Sequence, residues 1–308
     1  MDYLFIVLAF VAGSLLAVQA GANAQLAKAT GSPFAATTLQ LSVGSAVLVL
    51  LTLATGSIMA LRLLPEATWW HAVGGTASAF YVVSTILLFP RLGAVASVGL
   101  IIAGQMLASL ALDSFGWLGI PAHGFAFGPV LGTLIVLVGA SLIVFGQAGG
   151  AGALSPASLG WIVFALLAGA VLPVQGAVNA LLRHDLGGAS FAVGVTSFVV
   201  ATAAMAAVLI LSLALPQTPR PHLQGVPAMP WWGWLGGLAG ATYVTTVFTA
   251  IPVIGTAAAV GLTVAGQQVA SIFVDIFGWF RLPQRPVSAV RLFGVMLLLA
   301  GVVIIKVI

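Results

Sequence analysis

The sequence predicts an all-α integral membrane protein: ten transmembrane helices arranged as a 5+5 inverted-topology repeat. Three observations carry that expectation. Only 5% of the 308 residues are charged, and 61% are hydrophobic. Ten apolar runs, each near the length a bilayer demands, fill the chain. The two halves repeat the same polar residues at matched places, and each half holds an odd number of runs.

A soluble domain carries roughly 25% charged residues. A chain with mean hydropathy +1.22 cannot dress such a surface, but lipid requires none. The net charge is +4. Its cations (Lys28, Arg62, Arg91, Arg220 and Arg281 among them) stand singly or in small groups between apolar runs, as topology signals do. No basic stripe with interleaved aromatics exists for a nucleic acid to follow. Cysteine is absent, which removes disulfides, thiolate metal sites and cysteine nucleophiles.

The elements follow in order. Crossing the hydrocarbon takes about 20 apolar residues, and barrel strands would be shorter and alternating. The first run, 4–27, resembles a secretory signal. Only Asp2 precedes it, without the basic segment a signal needs, and its pattern recurs mid-chain, so it reads as a span. KATGSPF separates it from 34–61. Trp69 and Trp70 open 70–90, as interfacial aromatics do. RLG leads into 93–113, and 129–147 completes the first unit, residues 1–150. A Gly/Ala/Ser linker near 148–158 precedes 159–182, where Pro173 should kink the helix. The run 190–215 ends in LPQTPRPHLQGVP (215–227), polar and Pro-rich like a solvated loop. Trp231, Trp232 and Trp234 open 231–252. The runs 255–277 and 288–307 complete the second unit, residues 151–308.

The repeat is specific. LLAVQAGANAQL (15–26) matches VLPVQGAVNALL (171–182), at an offset of 156. WWHAVGG (69–75) matches WWGWLGG (231–237), and Tyr81 matches Tyr243, at an offset of 162. Pro90 and Gly93 match Pro252 and Gly255. IIAGQMLASLALD (101–113) matches TVAGQQVASIFVD (263–275), and FGW…P recurs at 115–121 and 277–283. Chance similarity between apolar helices shares Leu and Ala, not Gln, Asn, Tyr, Trp and Asp. Five spans per unit turn the second unit over in the membrane, the architecture of many secondary transporters. With side A defined by the N-terminus, Arg62, Arg183 and Lys306 fall on A. Lys28, Arg91, Arg220, Arg281, Arg285 and Arg291 fall on B, and this bias puts B in the cytoplasm.

The polar residues inside the spans are the candidate machinery. Gln105 and Gln267 lie mid-span. They are either interhelical glue or the lining of a cavity. Gln19 with Asn23, repeated as Gln175 with Asn179, are amide pairs one turn apart. They either wall a polar cavity or cap loose carbonyls. Tyr81 and Tyr243 suit ligand stacking or a core position with a bonded hydroxyl. Asp113 and Asp275 end their spans, where a carboxylate opposes the helix dipole. They are solvated acids, or opposed gates and proton-coupling groups that close with an ion pair. By side, Arg62 or Arg183 would face Asp113, and Arg91, Arg220, Arg281 or Arg285 would face Asp275. His71, His123, His184 and His222 sit at span ends or in loops without ligand spacing, so no metal or other cofactor is expected. No nucleophile–base set stands out, so an enzyme is not expected.

QAGANAQL, WW…GG…Y, AGQ-x-x-AS-x-x-x-D and FGW…P together resemble the YdcZ family of the drug/metabolite transporter (DMT) superfamily, once per half. The resemblance implies two family units fused in one chain, an EamA-like fold and a bacterial inner-membrane location. It implies a central cavity near Gln19, Asn23, Tyr81, Gln105, Gln175, Asn179, Tyr243 and Gln267. It also implies cytoplasmic termini, opposite to the charge count. Small multidrug exporters of that superfamily carry a glutamate in their first helix; here that region offers Gln19 and Gln175. The expected function is therefore export of a small polar or zwitterionic metabolite by alternating access. The alternative is a non-transporting lipid-binding or assembly subunit whose repeats only pack. Expected partners are the bilayer, a small-molecule substrate, protons, and a second copy of the chain as a homodimer.

Overall fold

The computed structural model describes residues 2–92, 94–122, 124–147, 159–215, 218, 220–282, 284 and 287–307. Gly93, His123, the linker at 148–158, Pro283 and Arg285 lie outside the described residues. The described chain is helical: α1 Asp2–Thr30, α2 Pro33–Ala54, the single turn α3 Trp69–Ala72, α4 Thr76–Leu92, α5 Ala94–Phe115, α6 Phe127–Gln147, α7 Leu159–Asp185, α8 Ser190–Leu213, α9 Leu235–Ile254, α10 Thr256–Phe277 and α11 Ala289–Val307. Eight stretches are long and apolar enough to cross a membrane, and Phe127–Ile143 and Ala289–Ile305 are shorter apolar helices. Large apolar side chains such as Leu50, Ile210, Leu211 and Val303 point outward, as a lipid-facing surface requires.

Local chemistry sets the helix ends. Gly31 takes a left-handed φ of 66° after α1, and Ser32 caps α2 by accepting from the Ala35 N–H at 3.3 Å, with Pro33 at the first position. The expected span 34–61 is shorter than its apolar run. α2 stops at Ala54, because Thr55 closes it and Gly56 turns left-handed at φ 69°; a 3₁₀ helix, Ser57–Leu63, follows. The expected span 70–90 is likewise broken at its start, by the 3₁₀ turn Val73–Gly75 between α3 and α4. Its counterpart Trp231–Trp234 is 3₁₀ as well. α7 runs on through Pro173 without a break in the assigned helix.

The helices pack in matched pairs. α1 lies against α9 and α10, while α7 lies against α4 and α5; α2 pairs with α8, and α6 with α11. Glycines set the crossings. A Cβ on Gly13 would collide with the Thr263 carbonyl, and one on Gly169 with that of Ile101. Gly266 meets the Phe10 carbonyl as Gly104 meets that of Leu166. The repeated AGQ motif thus places its glycine where another helix backbone crosses. Between α6 and α11, Gly139 faces Gly294 and Gly132 faces Gly301, each backbone oxygen 2.6–2.7 Å from where the partner's Cβ would stand. Gly75 rests on the Ser197 carbonyl and Gly237 on that of Gln40, so α2 matches α8 at an offset of 157.

Candidate functional site

Gln175 meets its partner across a seam between the halves, and Asn179 meets its partner within the second half. On one seam, α7 of the second half meets α4 of the first. Gln175 is buried and locked to Ser78: its Nε2 donates to Ser78 Oγ at 2.9 Å, and that hydroxyl returns to Oε1 at 3.1 Å. One turn on, Asn179 is fully buried and donates through Nδ2 to Ser197 Oγ at 3.1 Å. Its Oδ1 lies over Gly74, 2.7 Å from where a Cβ would be.

The matched seam, α1 and α2 against α9, has different chemistry. Ser78 is replaced by Gly240, which puts Gln19 Nε2 2.8 Å from the missing Cβ. Ser197 is replaced by Gln40. The Oδ1 of Asn23 is buried without a hydrogen-bond partner, as is the Oδ1 of Asn179, and the Oε1 of Gln40 is a further such atom on this seam. Gly236 lies between, with the Gln40 Cδ and the Ala22 Cβ each 3.4 Å from its absent Cβ. Sequence reasoning missed Gln40, Ser78 and Ser197. The signal was the one-residue change of offset, which aligns Gln40 with a serine that bonds an asparagine.

Tyr243 is buried in the largest core cluster, and Tyr81 is half-buried against Leu88 and Ile101 of the first half. Gln105 is buried beside Gly169, and Gln267 is half-buried; neither has a hydrogen-bond partner among the described residues. Ser109 and Ser271 donate to carbonyls of their own helices, Met106 at 2.9 Å and Gln268 at 2.8 Å.

Among the described residues, the carboxylates do not meet the cations expected for them. Asp113 ends α5 and sits on the N-terminus of α10, accepting from the Thr256 N–H at 2.8 Å and the Ala257 N–H at 2.6 Å. Neither Arg62 nor Arg183 faces it: Arg62 is exposed, and Arg183 donates to Ser190 Oγ. The reason is geometric. A helix start carries orphaned N–H groups and the positive end of the dipole, and α10 begins where α5 stops. Asp275 pairs with Arg291 in its own half (2.6 Å), and that guanidinium also donates to Ser271 Oγ at 3.0 Å. Of the cations expected for Asp275, Arg91 stacks on Trp161 at 5.0 Å, Arg281 on Trp232 at 5.8 Å, and Arg220 is exposed. A further pair joins the halves on side A, where His71 Nδ1 meets Asp185 Oδ2 at 2.5 Å.

The two FGW turns share one backbone conformation. Gly116 and Gly278 end their helices left-handed (φ 68° and 62°), and the matched Leu118 and Phe280 follow at φ 56° and 60°. Their surroundings differ. On side A, Leu118 to Pro121 line a cleft of about 630 Å³ with Leu181, His184 and Pro252. A second cleft, about 410 Å³, adjoins Asp113 and Gly255. On side B, the Phe280 ring packs on Gly21 of α1, and Gln25 Nε2 donates to the Phe280 carbonyl at 2.8 Å. Neither side-A cleft is lined by the eight candidate substrate-binding residues. Among the described residues no group of three or more His, Asp or Glu could hold a metal ion.

A family model described as "Putative inner membrane exporter, YdcZ" matches residues 4–142 and again 160–304. The inner membrane protein YdcZ of Escherichia coli (strain K12) is 30% identical over 82 residues, 27% of this chain and 54% of that protein. The chain thus spans about half the length of the curated relative it matches. A solved crystal structure superposes with a TM-score of 0.64 at 20% identity, over 98% of this chain and 95% of that one. At that identity the likeness shows the fold alone.

Proposed function

Because the chain belongs to the YdcZ family of the drug/metabolite transporters, as two family units in one inner-membrane, multi-pass protein, we propose that it is a secondary exporter of a small polar or zwitterionic metabolite, working by alternating access. Family membership also sets it apart from enzymes. In this reading ten helices cross the bilayer, and residues 1–150 and 151–308 are two units inverted relative to each other. The matched glycine crossings support it, since the glycine contacts of α1 with α10, Gly13 on Thr263 and Gly266 on Phe10, have counterparts between α7 and α5 in Gly169 on Ile101 and Gly104 on Leu166.

The observation that carries the reading is the unequal setting of the two FGW turns. Sequence and backbone make them equivalent, and each packs on the first helix of one unit, yet the side-A turn borders a cleft of about 630 Å³ while the side-B turn gains a Gln25 bond to the Phe280 carbonyl. Two equivalent units held in unequal arrangements are what a rocking carrier needs, because exchanging the arrangements exchanges the open side. Asp113 is the side-A gate, tying the first unit to the N-terminus of α10 in the second. Asp275 braces α10 to α11 within its own unit. The binding region is the set of seam amides with Tyr81, Tyr243, Gln105 and Gln267. Its near-neutral chemistry fits an uncharged or zwitterionic solute better than a lipophilic cation.

Counterflow tests this. The full chain, reconstituted in liposomes loaded with a polar metabolite extract, should exchange at least one solute saturably across the bilayer. Comparing rates with and without a pH gradient then decides proton coupling. Proteoliposomes that leak no faster than protein-free ones for every solute in the extract would overturn the carrier reading in favour of a packing or lipid-binding subunit.

A further inference from the structure

The segment around α3 carries a contact that its copy in the repeat lacks. WWHAVGG (69–75) lies across the end of α7 on side A. Gly75 rests on the Ser197 carbonyl. Gly74 lies over α7, its absent Cβ 3.2 Å from the Val178 Cγ1 and 2.7 Å from the Asn179 Oδ1. His71, which is buried, meets Asp185 at 2.5 Å. One short piece of the first half is thus laid on the second half and covers Asn179. WWGWLGG (231–237) makes the matching cover over α1 on side B, where the absent Cβ of Gly236 is 3.4 Å from the Ala22 Cβ. The repeat puts Gly233 there in the place of His71, and Ala29 in the place of Asp185. A Cβ on Gly233 would collide with the Met229 methyl, and the Ala29 carbonyl packs on Gly225. Packing takes the place of the ion pair.

We infer that His71 and Asp185 are gating residues of side A: their bond clasps the α3 segment over Asn179, and side A opens only when it breaks. This rests on the carrier reading and adds a second bridge to the one made by Asp113. The two bridges stand at either end of the side-A clefts. One cleft adjoins Asp113, the other is lined by Arg183, His184 and Gly187 around Asp185, and both share Ile120, Pro121, Ile251 and Pro252. A bond between an imidazole nitrogen and a carboxylate is charge-assisted, stronger than one between neutral groups. It is also breakable, because the Asp185 side chain is already 20% exposed and hydrates once released. His184 does not stand in for His71: its side chain is 93% exposed, with Nδ1 3.9 Å from the Asp185 Oδ1. A clasp on one side only unbalances two otherwise equivalent states, and so tilts the carrier toward a closed side A.

Single cysteines at matched positions test the clasp, on the full chain in nanodiscs, where both faces meet the reagent. Val178→Cys lies under Gly74 and Ala22→Cys under Gly236; both residues are buried, and the chain has no cysteine of its own. His71→Leu should speed maleimide labelling of Val178→Cys roughly tenfold, as the loss of a bond to a charged group implies, and leave that of Ala22→Cys within about twofold. Asp185→Ala, at a partly exposed position, should do the same, and serves where His71→Leu does not fold. His71→Asn keeps an N–H where the imidazole Nδ1 stood. It should label near the parent rate, a rescue that lost ring packing alone does not give. Equal acceleration at both cysteines is general loosening and overturns the clasp. So does labelling of Val178→Cys that neither His71→Leu nor Asp185→Ala changes, or His71→Asn labelling as fast as His71→Leu. If the expected pattern holds while the reconstituted chain exchanges no solute, the carrier reading falls and the clasp stands as a one-sided tie between the halves.

Discussion

Removing the Asp113 carboxylate should open side A. The two N–H bonds it accepts from Thr256 and Ala257 are the described polar contacts of that side chain, and both cross between the halves. Hydrogen bonds to a charged group are worth about 1.5–3 kcal/mol each. A carboxylate at a helix N-terminus adds roughly 0.3–1 kcal/mol. Much of this is recovered as hydration once the side opens, so about 2 kcal/mol of difference between closed and open side A is a fair expectation for Asp113→Ala. At about 1.4 kcal/mol per tenfold, that shifts the population roughly 30-fold. The chain has no cysteine, so a single Ile120→Cys reports without background. Ile120 is buried and borders both side-A clefts. Its labelling by a membrane-impermeant maleimide should accelerate by one to two orders of magnitude in the Asp113→Ala background. Asp275→Ala should not reproduce this, because its partner Arg291 lies in the same half. Labelling within about twofold of the parent, or equal acceleration by both substitutions, would refute a gate at Asp113.

Two further outcomes follow from contacts elsewhere. Arg291 is buried and holds Asp275 and Ser271. Because Asp275 is partly exposed, Arg291→Leu should cost less than the ~3–5 kcal/mol of a broken fully buried pair, yet lower Tm measurably, and Asp275→Asn in the same background should restore part of the loss. A side chain at Gly139 or Gly294 meets the facing backbone carbonyl, so Gly139→Leu should abolish the monodisperse peak on gel filtration, whereas Gly160→Ala, which meets nothing within 4 Å, should leave it unchanged.

Much of the candidate site was legible as a set of residues but not as a set of pairs. Gln19, Asn23, Gln175 and Asn179 are visible because amides are rare in apolar runs. The sequence cannot tell that one pair is spent on serines and the other is not, since Ser78 and Gly240 lie on different helices from the amides they face. Gln40 carries no signal of its own in the sequence; Gly237 and Gly75 show which turn of α8 it matches. Apolar composition outruns the helix at the end of α2: Leu61 is apolar, but Gly56 has already turned the chain.

The sequence by itself determined that this chain lives in a membrane, that it is helical, and that it is a duplication. Those properties depend on composition and on short-range periodicity, which every residue reports locally. Only the tertiary structure decided which polar groups are satisfied, that Asp113 caps a helix of the other half, and that the two turns occupy unequal settings. Such properties depend on which helix faces which, and crossings fixed by single glycines bring together residues that are far apart in the chain.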